Sequence, residues 1–583
     1  MGASSHVTLF SRISQENDKL YEPYSCGEQD DELPASGSPQ LGYEAKIEVV
    51  KVAEGLKQLL SAFPAEPLCQ LVTFWRATGA NLALGEPLVD NCRRALSDLC
   101  SLSSGEGPLG PYVTYARSLL HNSIQPLAVS VEMDLDRFCS QFLDENTRLE
   151  TVGLLFCAVI RAASEVRIFP PLYMESHRRL ELVSLAAKLT NTIVEAILSI
   201  DMLNDLQLVM QYENFISHSF VFGVQSYHSF RKLGDVITSV MSLGYHETFG
   251  SSKEVPTFLI NIRRVAFCRA YSADKNWAIF LGRPPRLPQK YCNLPAAICA
   301  PSLSNNEKNG LALLADQDVP QWEPDTGMST WAETRWASIC ASLKEEILEL
   351  FRDGRKSDCD ARVSHLRRRT DEYWASLPGN FRLQESLGNH KEGPWERDFL
   401  ASARLNYLHV HFLVHLLCQG SSTEPSIEFV NLSREILVLV TEVIVLRHEL
   451  VCSTGTSFEW KLAHYGLPAI GILLMAMLGN RSHPEITKDV EIIRSLGIIV
   501  VGVDLGTIVH PTEPNYALLS SARKTIQKVI VGIQSRESQG LPLTDLENPE
   551  PGDHIETAFV QNQLEPWDFE FSFWENLAEH PAI

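Results

Sequence analysis

Residues 227–287 constrain the fold of this chain more than any other stretch, because they spell two amphipathic helices with hard stops. In the first, Leu233, Val236, Ile237, Val240 and Leu243 recur at helical spacing and make one apolar stripe. Gly244 follows the last of them, where a helix end needs a residue free to adopt left-handed backbone. After a polar break at 250–254 the second helix turns Leu259, Ile262, Val265, Ala266, Ala270 and Ala278 inward. Gly282 and the pair Pro284-Pro285 stop it, since proline lacks an amide proton and restricts its predecessor. Arg263, Arg264, Asp274 and Lys275 ride on this helix, with Arg283 at its end. Two readings fit these charges: a solvated face, or a part-buried Arg–Asp network that locks the helix pair. Asp274 lies about three turns beyond Arg263, so a bond it makes to an arginine would be tertiary. The candidate lock residues are Arg263, Arg264, Asp274 and Arg283.

The same helical pattern recurs along the chain. It is legible at 43–62 (Ile47, Val50, Val52, Leu56, Leu59 and Leu60), twice within 68–102, and at 147–166, 176–198, 205–220, 330–352, 360–377 and 399–417. Residues 103–111 and 286–330 read as loops. No fixed period appears, so a regular repeat array is not expected. The expected fold is all-α: a large irregular multi-helix bundle or superhelix over 44–534. A disordered polar arm at 1–43 precedes it, and an acidic aromatic tail at 535–583 follows it.

Composition narrows the function classes. A net charge of −22 over 583 residues argues against a broad nucleic-acid-binding surface, which needs clustered Lys and Arg. The 13 cysteines include no Cys-x-x-Cys, and most lie in apolar helical runs, which fits a reducing compartment. The first residues show neither a signal-peptide core nor a myristoylation pattern, because His6 occupies the position that should be Ser or Thr. The apolar run at 465–479 is shorter than the ~20 residues of a membrane span and reads as buried core, so no membrane partner is expected.

No catalytic constellation emerges: no nucleophile elbow, P-loop or dinucleotide fingerprint. The only Asp-Asp, Asp30-Asp31, lies in the polar arm and not on a helix, where a diphosphate–magnesium site would need it. His411 and His415 stand at i,i+4 beside His409, but a helix apolar all round makes them core or interface histidines. The run VGVDLGT within 492–509 resembles a phosphate-binding strand–turn, yet its upstream context is helical, so a buried apolar segment is expected. The chain is therefore expected not to be an enzyme and to need no cofactor or metal.

After Arg536 no Lys or Arg occurs, while acidic residues alternate with Trp567, Phe569, Phe571, Phe573 and Trp574. Acidic neighbours keep such aromatics solvated and available to a partner's groove, the pattern of activation segments. Docking of these aromatics on the chain's own helical body is an equal alternative, and an added strand a lesser one.

Leu243-Gly244-Tyr245-His246, Arg263-Arg264, Phe267, Asp274 and Leu281-Gly282-Arg283-Pro284-Pro285 together resemble the regulatory domain of fungal transcription factors. This is the middle homology region that accompanies zinc binuclear cluster domains. The chain departs from the pattern at Tyr245, where leucine is usual, and at Cys268, where tryptophan is usual. Weaker similarities sit at Arg148-Leu149-Glu150 with Gly153-Leu154-Leu155-Phe156, and at Trp374 to Pro378; the resemblance spans roughly 60–480, and 60–300 is most family-like. It implies a nuclear transcription regulator, with contacts to transcription machinery or another DNA-binding regulator, homo- or heterodimerisation, and a small-molecule effector. The zinc cluster itself needs six thiolates among basic residues. The arm holds only Cys26, so direct DNA binding is doubtful for this chain unless an upstream exon supplies the cluster. The alternatives are a helical module that binds a metabolite or protein without a transcriptional role and, more remotely, an enzyme.

Overall fold

The computed structural model describes residues 43–95, 99–100, 108–250, 254–298, 320, 322, 327–353, 359–420, 424–452, 456–479 and 489–539. Among them every regular element is helical, and the one β contact is an isolated bridge between Phe169 and Tyr173. The all-α expectation is met. Tyr43 of the expected arm and residues 535–539 of the expected tail are helical; the rest of both, including Trp567, Phe569, Phe571, Phe573 and Trp574, lies outside the described residues.

The first half comprises α1 (Tyr43–Ala62), α2 (Ala65–Ala77), α3 (Gly110–Ile124), α4 (Leu149–Glu165), α5 (Ser176–Leu198), α6 (Asp205–Phe222), α7 (Tyr227–Ser242) and α8 (Thr257–Leu281). The second comprises α9 (Thr330–Asp353), α10 (Cys359–Ser376), α11 (Pro394–Gln419), α12 (Ile427–Val445), α13, α14 (Val490–Asp504) and α15 (Tyr516–Gln539). Helix α13 is composite: Phe458–Lys461 and Leu467–Gly479 are α-helical, and Leu462–Gly466 between them is a π turn. Pro468 supplies the cause, because it donates no amide and its ring crowds the carbonyl four residues back.

Three hydrophobic cores result. The first is built from α1 to α8 around α4, which is buried on every side from Leu149 through Ala163, with Glu150 and Arg161 sealed in beside Arg148 and Glu165. The second joins α9, α10 and one face of α11, through Trp336, Leu343, Leu366 and Phe399. The third joins the other face of α11 to α12 through α15, through Leu405, Phe412, Val440, Ile470 and Ile526. The run at 465–479 is the centre of that third core. Phe458–Leu478 is long and apolar enough to cross a membrane, but 89% of its most apolar window is buried inside the protein.

Several expectations shift. In α1, Ile47 and Val50 point outward, and Val49 and Ala53 take the inward places. Residues 68–95 hold most of α2, a loop and the single turn Val89–Cys92; Ala95, Leu99 and Cys100 are helical again, and 96–98 and 101–102 lie outside the described residues. Helix α3 begins at Gly110, inside the stretch read as a loop, because Pro111 fits the first turn of a helix. Short helical turns occupy Gln289–Tyr291 and Leu294–Ile298 in the second predicted loop. The run containing VGVDLGT is helix α14 followed by a turn, and it exposes Val501 and Leu505, so it is amphipathic and not wholly buried.

Candidate functional site

The stretch that dominated the sequence folds as a locked helical corner. Gly244 (φ +75°) and Gly282 (φ +59°) end α7 and α8 in left-handed conformation. Each is followed by an amide reaching back five residues: Tyr245 N donates to Val240 O at 3.0 Å, and Arg283 N to Ala278 O at 2.8 Å. This is the same helix-ending geometry twice. The chain then folds back on itself, with Asn293 N donating to His246 O at 2.7 Å.

The four lock candidates do not form one network. Arg263 pairs in two-pronged fashion with Asp205 at the start of α6, through Nε (2.9 Å) and Nη2 (2.8 Å), and its Nη1 donates to Phe249 O at 3.2 Å. The Tyr245 hydroxyl donates to the same carboxylate, and burial, then Asp205, push that phenol's pKa up. Arg264 is half-buried, with its guanidinium 5.9 Å from the centre of the Phe249 ring. Asp274 belongs to a second cluster. Its carboxylate accepts the amides of Arg286 and Leu287 at 3.0 Å and Lys275 Nζ at 2.9 Å. Lys275 also reaches Glu345 of α9 at 3.2 Å, and Glu345 accepts the Tyr271 hydroxyl at 2.7 Å. Arg283 is exposed; Arg286 takes the part expected of it, donating to Phe230 O at 2.9 Å while lying 3.6 Å from that ring's centre. Gly234 of α7 gives it room, since a Cβ there would stand 2.7 Å from the guanidinium.

Arg148-Leu149-Glu150 is a third buried lock. Arg148 lies beside Glu150 at 3.3 Å and donates to Ser123 O and Gln125 O at 2.7 Å, so α3 is tied to the start of α4. The helix-α11 histidines separate: His411 meets Asp371 at 3.0 Å, His415 stacks on Phe429, and His409 is buried against His464 and Tyr465. Among the described residues no three His, Cys, Asp or Glu are placed to hold a metal.

Apart from these locks, a cavity of about 100 Å³ opens between α6, α8, α9, α11 and α13. Helix α6 contributes Tyr212 and Phe215, α8 contributes Arg269, Asn276 and Trp277, α11 contributes Ser402 and Asn406, and α13 contributes Trp460, Lys461 and Tyr465. Trp277 and Trp460 stack at 5.6 Å, and Phe215 meets Trp277 edge-on at 5.8 Å. Lys344 of α9 stands behind the wall, donating to Asn276 Oδ1 at 2.9 Å and Asn406 Oδ1 at 3.1 Å. Burial holds its pKa down at about 8. Lys461 is salt-bridged to Asp398 inside the protein. An apolar concavity with a few placed polar groups has the character of a small-molecule site.

No known protein family, curated protein or solved structure matches the chain.

Sequence reasoning missed Asp205, Arg286, Lys344 and the cavity. Asp205 carried a signal, since it follows Asn204, whose side chain caps α6 by accepting Gln207 N at 2.9 Å. Lys344 carried none: among the residues of α9 it looks like any helix lysine, and only tertiary packing buries it.

Proposed function

We propose that the chain is a transcription regulator whose helical body responds to a small effector and acts through its acidic aromatic tail and through partner proteins. One observation carries the reading: residues 243–287, which bear the resemblance to fungal regulatory domains, build a locked corner whose helix α8 supplies Arg269, Asn276 and Trp277 to a ligand-sized cavity. The net charge of −22 favours action through a DNA-binding partner over direct phosphate contact. The mechanism is two-state. The effector binds one arrangement of the three cores better than the other, and its differential affinity sets how far the tail is presented. The site of action is the nucleus.

The test is a reporter assay with residues 43–583 fused to a foreign DNA-binding domain. Reporter output should change, and removing 535–583 should reduce the change. A silent fusion that is folded and nuclear would sink the proposal. It would favour the second reading the cavity permits, a ligand-binding helical module without a transcriptional role.

A further inference from the structure

Four lysines are buried among the described residues, and three of them have a carboxylate partner, Lys232 meeting Glu195 at 3.4 Å. Lys275 meets Asp274 and Glu345, and Lys461 meets Asp398. Lys344, 1% exposed, has two asparagine oxygens and the Tyr465 ring, 5.8 Å from Nζ to its centre, but among the described residues no carboxylate pairs with it. A buried ammonium without a counter-charge costs several kcal/mol, so a fold that keeps one invites an anion.

The cavity in front of Lys344 fits that expectation. Asn276 and Asn406 line it, and both give their amide oxygens to the lysine; Asn406 also accepts from the Tyr465 hydroxyl at 3.4 Å and donates one N–H to Ser402 O at 3.1 Å, so the amide hydrogens left for a ligand are those of Asn276 and the second of Asn406. Arg269, 5% exposed, is in the same wall. The Ser402 hydroxyl, also buried there, has no hydrogen-bond partner among the described residues. Among the described residues no aspartate or glutamate lines the cavity. Three buried carboxylates lie near the cavity: Asp398 holds Lys461, Glu213 accepts the amides of Leu84 and Gly85 while its charge also acts on Arg269, and Glu333 precedes the lining Thr334. The remaining wall is aromatic, formed by Trp277 and Trp460, which stack on each other between Phe230 and His464 and so leave their edges to the cavity. At about 10–15 Å³ per water position, the cavity holds on the order of seven to ten non-hydrogen atoms.

We propose that this cavity binds a small organic monocarboxylate, its acid group met by the positive side of the wall, Arg269 with Lys344 behind the two asparagines, and its apolar body packed against the edges of Trp277 and Trp460. This deepens the effector reading above and rests on it for its regulatory meaning. The chemistry excludes cations and disfavours neutral isosteres, which gain nothing from the two positive side chains.

Calorimetry and thermal shift on residues 43–583 with benzoate and phenylacetate, against benzamide and phenylacetamide, test it. The acids should raise the melting temperature and give a saturable isotherm, and the amides should not. Lys344→Gln keeps a donor for the asparagines and removes the charge; it should weaken acid binding about tenfold or more. Arg269→Gln serves as the second variant should Lys344→Gln not fold. Equal shifts from acids and amides, acid binding unchanged in the folded variants, or no shift from either acid at millimolar concentration would overturn the assignment. The outcomes separate from those of the reporter assay. Carboxylate binding with a silent reporter leaves the site and removes the transcriptional role, and an active reporter without carboxylate binding does the reverse.

Discussion

Asp274 and Arg283 sit nine residues apart in one motif and do unlike work. Asp274 is buried and its carboxylate accepts two backbone amides and an ammonium, so the turn after α8 is organised on it. Asp274→Ala leaves those amides and Lys275 short of a partner and should cost about 3–5 kcal/mol, read as a lower midpoint in urea unfolding. Arg283 is exposed, and its replacement by alanine should move stability by no more than about 0.5 kcal/mol in the same assay. If the two variants unfold alike, the division into a buried cluster and a solvated arginine is wrong.

Helix ends, more than helix middles, hold the elements in register. Asn204 caps α6 through Gln207 N and also reaches Glu150 Oε1 at 3.3 Å, which joins the start of α6 to the Arg148–Glu150 lock of α4. Asn204→Ala should therefore lose about 1–2 kcal/mol, seen as a lower denaturation midpoint at unchanged slope. The π turn in α13 is placed by Pro468, and it falls where His464 and Tyr465 are presented to His409. The element that looked most like a membrane segment is in this way a strut between the third core and the cavity.

Across the whole molecule, burial has sealed in titratable groups whose balance sets the pH response. Burial drives His409 and His464 well below the usual histidine range and His218 to about 4. Each is neutral when folded, so its contribution is full above pH ~6.5 and is lost as pH falls toward the folded value, by up to about 1.4 kcal/mol per unit. Burial pushes Glu459 up to about 7 and raises Glu213, and these work in the opposite sense between their unfolded and folded values. The parent curve sums both senses, and a comparison is more telling. His464→Phe keeps an aromatic ring beside Trp460 and removes one titration. Its stability relative to the parent should rise by up to about 1.4 kcal/mol per unit as pH drops below ~6.5, measured by urea unfolding at several pH values. A pH-independent difference would mean that His464 is protonated in the folded protein.

Much of this architecture was written locally. Periodicity of 3.6 marks the long helices, and Gly244, Gly282 and the Pro284-Pro285 pair mark their ends, because stripe spacing and backbone freedom are properties of neighbours in the chain. The exceptions follow the same logic. Ile47 and Val50 were misplaced because a helix face is chosen by what packs on it, and Gly110 was misplaced because proline suits both a loop and a first helical turn. Pairings could not be read, since Arg263 finds Asp205 across 58 positions and Lys275 finds Glu345 across 70. The sequence by itself determined helices, stops and an inventory of charges. Tertiary structure alone decided which charges are sealed, which are paired, and that Lys344 is left beside a cavity, because burial and counter-charge depend on contacts between helices distant in sequence.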